Sequence, residues 1–312
     1  MLSSAATAVL VLAFSSFVAA DRTFTITNAC SYTIWPALFT SGGTAPTQAT
    51  GWAAPAGSSV SFTVNLEVEN WNGRIWGRTD CSFDGSTLPT TCSTGGCNGG
   101  LECATSGGTG VPPSTLAEFN LNDSSDWYDI SNVDGFNLPL SITNNVGCTE
   151  PSCSTDIDDI CPPALAVTNS ASDVVGCVSA CAANLDGNSA DSPNCCSGSY
   201  DTAATCPSSG VEYYSVFHDA CPQAYAYAYD DNIALFACSH SLGADYTITF
   251  CKSFLRPLPL FLSPLFSPSS PLAGRPSQLA LVFPSPVIVS SSRTVTPRSS
   301  SLYPFSPREI HA

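Results

Sequence analysis

Basic residues are scarce in this sequence: nine Lys and Arg stand against 25 Asp and Glu, and the formal net charge is −16. Nucleic acids and anionic membranes would repel such a chain, so neither is expected as a partner. Histidine is rarer still, with only His218, His240 and His311, and no two cysteines are spaced as Cys-x-x-Cys. This scarcity argues against a zinc site, and we expect no metal or other cofactor.

The apolar segment near the N-terminus, Ala8–Phe14, is too short to span a bilayer. Val18-Ala-Ala20 follows it, with small residues at the positions where signal peptidase cuts, although no Lys or Arg precedes the segment. We expect residues 1–20 to be a cleaved signal peptide and the mature chain to begin at Asp21. The predicted location is extracellular or in the cell wall, with no membrane span.

Acidic residues and cysteines are almost absent from residues 252–312. This segment holds eleven prolines, six of the nine basic residues and a single acid, Glu309. Residues 21–251 hold three basic and 24 acidic residues, a formal charge of −21. The segment shows no sustained period of 2 or 3.6 residues. We expect a Pro/Ser-rich tail that is disordered or linker-like, or that arises from a translated intron or a shifted reading frame.

All sixteen cysteines lie within residues 30–251. An even number at this density, behind an export signal, predicts eight disulfides formed in an oxidising compartment. Cys195 and Cys196 are adjacent, and neighbours rarely reach the ~3.5–4.5 Å Cβ separation of an unstrained bridge, so we expect each to bond elsewhere. Cys177 and Cys181 lie four residues apart in a short amphipathic stretch that begins with Ser172, a residue type that caps helices. This pattern predicts a short helix over 172–183. Spacing alone leaves the connectivity open.

Short runs rich in Thr, Val, Ile and aromatic residues recur between clusters of Gly, Pro, Asn and Ser. Their spacing is typical of a β-sandwich, and they predict strands at Thr23–Asn28, Thr33–Phe39, Ser59–Leu66, Arg74–Arg78 and Tyr246–Phe250. Between residues 148 and 221 the strand pattern fades while nine cysteines crowd together. There we expect a loop-rich lobe that is held by disulfides rather than by an apolar core.

Several motifs resemble one known family. They are Phe24-Thr-Ile-Thr-Asn-Ala-Cys30, Arg74-Ile-Trp-Gly-Arg-Thr-Asp-Cys81, Pro113-Ser-Thr-Leu-Ala-Glu-Phe119, Tyr128-Asp-Ile-Ser131, Asp134-Gly-Phe-Asn-Leu-Pro139, Cys221-Pro-Gln-Ala-Tyr225 and Tyr246-Thr-Ile-Thr-Phe-Cys251. Over essentially all of residues 21–251 the sequence resembles the thaumatin-like proteins, pathogenesis-related family 5.

The resemblance implies a fold and a connectivity. The fold is an all-β, flattened antiparallel β-sandwich over about 21–78, 110–147 and 221–251, with a bridged loop region over 79–109 and a disulfide-rich lobe over 149–220. The implied bridges are Cys30–Cys251, Cys81–Cys92, Cys97–Cys103, Cys148–Cys238, Cys153–Cys221, Cys161–Cys177, Cys181–Cys195 and Cys196–Cys206.

In this family an open cleft between sandwich and lobe is lined by one arginine and several carboxylates. The motif counterparts in this chain are Arg78, Glu118, Asp129, Asp134 and Asp230, with Asp231 an alternative to Asp230. Glycoside hydrolysis needs one protonated carboxyl and one carboxylate. Crowded carboxylates supply this pair, because mutual repulsion raises the pKa of one of them.

Tyrosines alternate with alanine directly before these acids. Tyr225, Tyr227 and Tyr229 predict a strand with three rings on one face, where they either stack on a sugar or pack half-buried against the sheet. We include Tyr225 among the expected cleft residues. Asn122-Asp-Ser124 is a sequon for a glycan on Asn122.

Two functions stay open, and the sequence does not decide whether the chain is an enzyme. The first is a secreted endo-β-1,3-glucanase with Glu118 as general acid and Asp134 as nucleophile or base. The other cleft carboxylates would tune pKa values and orient the sugar, and Arg78 would hold the carboxylates in register. The second is a noncatalytic antifungal or defence protein that binds glucan or inhibits a carbohydrase. The partner that we expect is β-1,3-glucan or another neutral cell-wall polysaccharide, and we expect the chain to be a monomer.

Overall fold

The computed structural model describes residues 21–66 and 70–251. The predicted signal peptide and tail, residues 1–20 and 252–312, lie outside the described residues. The described ranges form twelve strands and two short α-helices. These are β1 Arg22–Asn28, β2 Trp35–Gly42, β3 Ser59–Val64, β4 Trp71–Arg78, β5 Leu116–Leu121, β6 Ser125–Ser131, β7 Leu140–Asn144, β8 Ser152–Cys153, β9 Ala166–Thr168, β10 Val174–Cys177, α1 Tyr214–Ala220, α2 Asp231–Ala234, β11 Phe236–Ser239 and β12 Tyr246–Phe250.

Two five-stranded sheets form the body of the fold. The first has the strand order β3-β1-β12-β7-β8, and the second has the order β11-β6-β5-β4-β2. Paired strands run antiparallel except β1 and β12, which run parallel. The predicted all-β fold class is confirmed, and each of the five predicted strands overlaps an observed strand: β1, β2, β3, β4 or β12.

Aromatic side chains pack the two sheets face to face. The ring centroid of Phe24 in β1 lies 4.8 Å from that of Phe119 in β5, which in turn lies 5.2 Å from that of Tyr246 in β12. All three side chains are buried. Such edge-on contacts contribute about 0.5–1.5 kcal/mol each beyond the burial of apolar area. The apolar core therefore lies between the sheets.

A buried ion pair also links the two sheets. Arg22 Nε in β1 donates to Asp126 Oδ2 in β6 at 2.7 Å, and both side chains are fully buried. The hydroxyl of Tyr246 donates to the same oxygen at 3.0 Å. Removal of either charged partner would leave the other charge buried and unpaired, at a cost of roughly 3–5 kcal/mol.

The second sheet has an outer face that points away from the core. Ile75 and Phe119 belong to the core cluster, so their chain neighbours Arg74 and Glu118 point outward. One end of this outer face is covered by the loop region after β4, through a second apolar cluster of Ala37, Trp76, Cys97, Cys103 and Leu116. The part of the face that carries Arg74 and Glu118 stays partly exposed.

All sixteen cysteines are bridged, and the eight pairs are the same as those that the family resemblance implies. Cys195 and Cys196 bond in different directions, as their adjacency required. The predicted helix over 172–183 is wrong. Val174–Cys177 instead forms β10, because two consecutive β-branched valines favour an extended backbone and Ser172 makes a left-handed turn with φ of 70°.

Candidate functional site

Three ionisable residues stand directly opposite one another on the outer face of the second sheet. The register pairs Arg74 of β4 with Glu118 of β5, and Glu118 with Asp129 of β6. Arg74 Nη2 lies 3.0 Å from Glu118 Oε1, and both side chains are about one-fifth exposed. Side chains in such a cross-strand row interact directly. We call Arg74, Glu118 and Asp129 the acid row.

Asp129 is the most deeply buried member of the acid row. The residue is 2% exposed, and its Oδ1 has no hydrogen-bond partner in the described part of the chain. Burial raises the pKa of Asp129 well above its usual range, and the charge of Glu118 raises it further, while Arg74 opposes the shift. The pKa directions therefore favour a proton on Asp129 next to the charge of Glu118.

Asp134 lies in the turn that follows β6, close enough to Arg74 and Glu118 for their charges to shift its pKa. In this turn the amide of Gly135 donates to the carbonyl of Asn132 at 2.8 Å, and Gly135 has a φ of +92°. A Cβ at Gly135 would lie 2.4 Å from the carbonyl oxygen of Cys177, so the turn requires glycine. Burial raises the pKa of Asp134 to about 6, with Arg74 lowering it and Glu118 raising it.

Tyr225 and Asp231 complete the site from the segment before β11. The amide of Tyr225 donates to the carbonyl of Ile130 at 2.8 Å, which places Tyr225 beside the end of β6. Its hydroxyl donates to Asp231 Oδ1 at 3.1 Å. Burial raises the pKa of Tyr225, as do the charges of Asp129, Asp231 and Glu118. Tyr225 therefore lies among the acids, and its contact with a sugar stays a prediction.

The strand predicted from the alternating tyrosines is wrong. Residues 225–229 form turns, and Tyr225 makes only an isolated bridge to Ser131. The hydroxyl of Tyr225 donates to Asp231, whereas the ring of Tyr227 packs edge-on against the rings of both Tyr214 and Tyr229. The alternation misled because the pairing partner of this segment ends at Ser131.

Asp230 was the expected fifth acid, with Asp231 as the alternative, and its carboxylate is engaged within its own segment. Its Oδ1 accepts from the hydroxyl of Tyr214 at 3.0 Å, and its Oδ2 accepts from the amide of Ala226 at 2.9 Å. It is buried, with both oxygens used to hold the turn before α2. Consecutive side chains at the start of a helix point in different directions, so the next residue, Asp231, faces Tyr225. The charge of Asp231 also raises the pKa of Asp129, after burial and the charge of Glu118.

Arg78 is also not the arginine of the acid row. Its guanidinium is buried and donates to the carbonyls of Trp35, Pro36, Gly100 and Leu101 at 2.7–3.3 Å. In residues 21–66 and 70–251 no carboxylate lies within ion-pair distance of it, and burial lowers its pKa to about 10. Strand β5 begins at Leu116, opposite Trp76, so Arg78 extends past β5 into the loop region.

Arg74, which the sequence did not single out, lies beside Glu118, where Arg78 was expected. The two arginines are four residues apart in one strand and point to the same face. Their spacing offers no distinction between them. Only the position of Glu118 relative to β4, which depends on the start of β5, decides which arginine contacts the acids.

Asn122 lies in the turn between β5 and β6. Its Oδ1 accepts from the amides of Ser124 and Ser125, both at 3.0 Å, and from the Ser124 hydroxyl at 2.7 Å. The amide nitrogen that would carry a glycan belongs to this turn. Glycosylation of Asn122 stays a prediction.

Residues 21–66 and 70–251 contain no group of three His, Cys, Asp or Glu arranged to hold a metal ion. They also contain no helix that is long and apolar enough to cross a bilayer. The site is thus built from carboxylates, one arginine and one tyrosine.

A disulfide-rich β-sandwich with an acid row on one outer face defines the class of this protein. The chain belongs to the thaumatin family, whose model matches residues 28–252. It is 44% identical over 252 residues to pathogenesis-related thaumatin-like protein 3.5 of Cryptomeria japonica, covering 80% of this chain and 97% of that relative. It is 41% identical over 250 residues to thaumatin-like protein 1 of Pyrus pyrifolia, covering 78% and 96%.

A third relative carries the name of an enzyme. The chain is 39% identical over 246 residues to a Prunus avium protein named glucan endo-1,3-beta-glucosidase, covering 77% of this chain and 94% of that relative.

Proposed function

We propose that this protein is secreted and acts as a monomer on cell-wall β-1,3-glucan. It binds the polymer at the acid row and hydrolyses glycosidic bonds within the polymer chain. The observation that carries the proposal is the pair Asp134 and Glu118. Asp134 has a pKa raised to about 6, whereas Glu118 forms an ion pair with Arg74 at 3.0 Å. Two carboxyl groups whose environments differ in this way supply an acid and a base at one site.

The electrostatics favour roles opposite to those expected from the sequence. Asp134 retains its proton up to about pH 6 and can donate it to the leaving oxygen of a glycosidic bond. Glu118 carries its charge in the ion pair with Arg74 and is the carboxylate that activates water or attacks the anomeric carbon. Asp134 is therefore proposed as general acid and Glu118 as nucleophile or base.

The neighbouring residues have supporting roles. Asp129, buried and with a raised pKa, is proposed to hold a proton and to donate a hydrogen bond to substrate or to Glu118. Tyr225 orients Asp231 through the 3.1 Å hydrogen bond, and Asp231 is proposed to bind sugar hydroxyls from the exposed side of the site.

The choice of ligand follows from charge and from the relatives. Residues 21–251 carry a formal charge of −21, which repels anionic polymers and permits a neutral one. The name of the Prunus avium relative supports β-1,3-glucan among neutral polysaccharides. Eight disulfides are typical of extracellular proteins and support secretion to the place where such polymers occur.

A paired assay on insoluble β-1,3-glucan tests the proposal. The secreted full chain is expected to sediment with the polymer and to release reducing ends under the same conditions. Asp134→Asn and Glu118→Gln should each keep sedimentation and lose release, while Asp123→Asn, at an exposed turn acid, should keep both. Binding without release in the wild type would favour a noncatalytic glucan-binding protein. The absence of both would contradict the proposal.

A further inference from the structure

Next to the acid row lies a second cross-strand row that carries no charge. The register pairs Asn72 of β4 with Asn120 of β5, and Asn120 with Trp127 of β6. Each of these residues is two positions from a member of the acid row on its own strand, so the two rows share one face. All three side chains are partly exposed. We call Asn72, Asn120 and Trp127 the neutral row.

The acid row is bounded on its other side. The positions two residues away in that direction, Trp76 and Leu116, are buried in the apolar cluster beneath the loop region. Trp76 Nε1 donates a hydrogen bond to the carbonyl of Gly95 at 2.7 Å. A ligand that is longer than the acid row therefore extends along the strands toward the neutral row.

The chemistry of the neutral row suits a sugar ring. Carboxamides offer both donors and acceptors, which is what a ring with several hydroxyls requires. An indole adds a large apolar face for the C–H face of the ring. The residue opposite Trp127 on the edge strand β11 is Ala237, which is exposed and too small to cover the indole. The row also lacks a charge that would favour an ionic ligand.

We propose that Asn72, Asn120 and Trp127 form a subsite for one neutral sugar unit of a chain whose reacting bond lies over the acid row. Successive residues on one face of a strand are about 6.6–6.8 Å apart, which is on the order of one sugar unit. This inference rests on the proposed glucan function and adds the direction in which the chain runs. It predicts that affinity rises with oligosaccharide length and that the neutral row causes the rise.

The test measures binding of β-1,3-linked glucose oligomers with two to six units by calorimetry, using the secreted full chain. In Trp127→Ala the affinity for the hexamer should fall about tenfold, because a tryptophan that a ligand covers commonly contributes much of the binding free energy. The dimer should bind as it does to the wild type. Asn72→Ala should show a smaller loss with the same dependence on length. Tyr32→Ala, at a half-exposed aromatic outside both rows, is the matched control and should bind every oligomer normally.

The outcomes separate the two proposals. Equal losses for dimer and hexamer, or no loss for either, would overturn the subsite and leave the glucan function intact. No binding of any oligomer by the wild type would overturn the glucan function itself. If Trp127→Ala is not secreted in folded form, Trp127→Phe is compared with the double variant that carries Asn72→Ala and Trp127→Leu. Because Phe retains an apolar ring face, Trp127→Phe should bind the hexamer far better than the double variant. Equal binding by the two would overturn the subsite.

Discussion

Arg74 and Glu118 face each other across β4 and β5 with 3.0 Å between Nη2 and Oε1. This one pair acts on two buried acids in opposite senses. Arg74 lowers the pKa of both Asp129 and Asp134, and Glu118 raises both. Glu118 is also the largest cause of the raised pKa of Arg74. Burial is the largest cause of both raised pKa values, and the ion pair adds two smaller influences that oppose each other.

Removal of the Arg74 charge should raise the pKa of Asp134 above about 6. In Arg74→Gln the two remaining influences, burial and the charge of Glu118, both act upward. Carbon NMR titration of the Asp134 carboxyl measures the shift directly, and the alkaline limb of the hydrolysis profile should move to higher pH with it. An unchanged or lower pKa would contradict the geometry of the acid row.

Arg78→Gln is the matched control for that experiment. Glutamine removes the positive charge, as at position 74, and also the planar fork that reaches four carbonyls. We expect a lower melting temperature and an unchanged Asp134 titration. A shift in that titration would mean that Arg78 acts on the acids after all.

The sandwich was predictable from sequence, because strands reveal themselves by alternation of apolar residues and by β-branched side chains over five or six positions. The acids of the site were predictable only through motifs. Arg74 and Arg78 share one face of one strand, and Asp230 and Asp231 are adjacent, so the choice within each pair depends on register and turn geometry. Strand register and turn geometry are set by contacts between segments that are distant in sequence, and a local sequence pattern does not predict such contacts.

The roles of the two acids can be separated with substrates that differ in leaving group. On β-1,3-glucan, Asp134→Asn and Glu118→Gln should each lose about 10²–10⁴-fold in rate. On an aryl β-glucoside with an acidic phenol, the leaving oxygen needs no proton, so Asp134→Asn should recover most of the wild-type rate. Glu118→Gln should stay inactive. Recovery in Glu118→Gln instead would return the acid role to Glu118.

Two Tyr→Phe variants distinguish Asp231 from Asp230. Tyr225→Phe removes the hydrogen bond to Asp231 Oδ1, so glucan affinity should fall severalfold, with a small effect on stability. Tyr214→Phe removes the hydrogen bond to Asp230 Oδ1, so the free energy of unfolding should fall by about 1 kcal/mol while glucan affinity is unchanged. Equilibrium binding and chemical unfolding measure both. The reverse pattern would restore Asp230 as the fifth acid.

Asp134 should make the stability of the fold depend on pH in a defined direction. Its pKa is about 6 in the folded protein, against 3.8 for an ordinary aspartate. Between these values the folded state holds a proton that the unfolded state has released, so this residue's contribution to stability is complete below about pH 3.8 and is lost as the pH rises through 6. In Asp134→Asn the side chain is neutral at every pH. The free energy of unfolding of the variant, relative to that of the wild type, should therefore be higher at pH 7 than at pH 3, by up to about 3 kcal/mol at 1.36 kcal/mol per pKa unit.

Guanidinium unfolding at pH 3 and pH 7, with the disulfides intact and Asp123→Asn as the exposed control, measures that gain. A gain of zero, or a loss, would show that Asp134 is not a protonated acid at the pH of the proposed reaction.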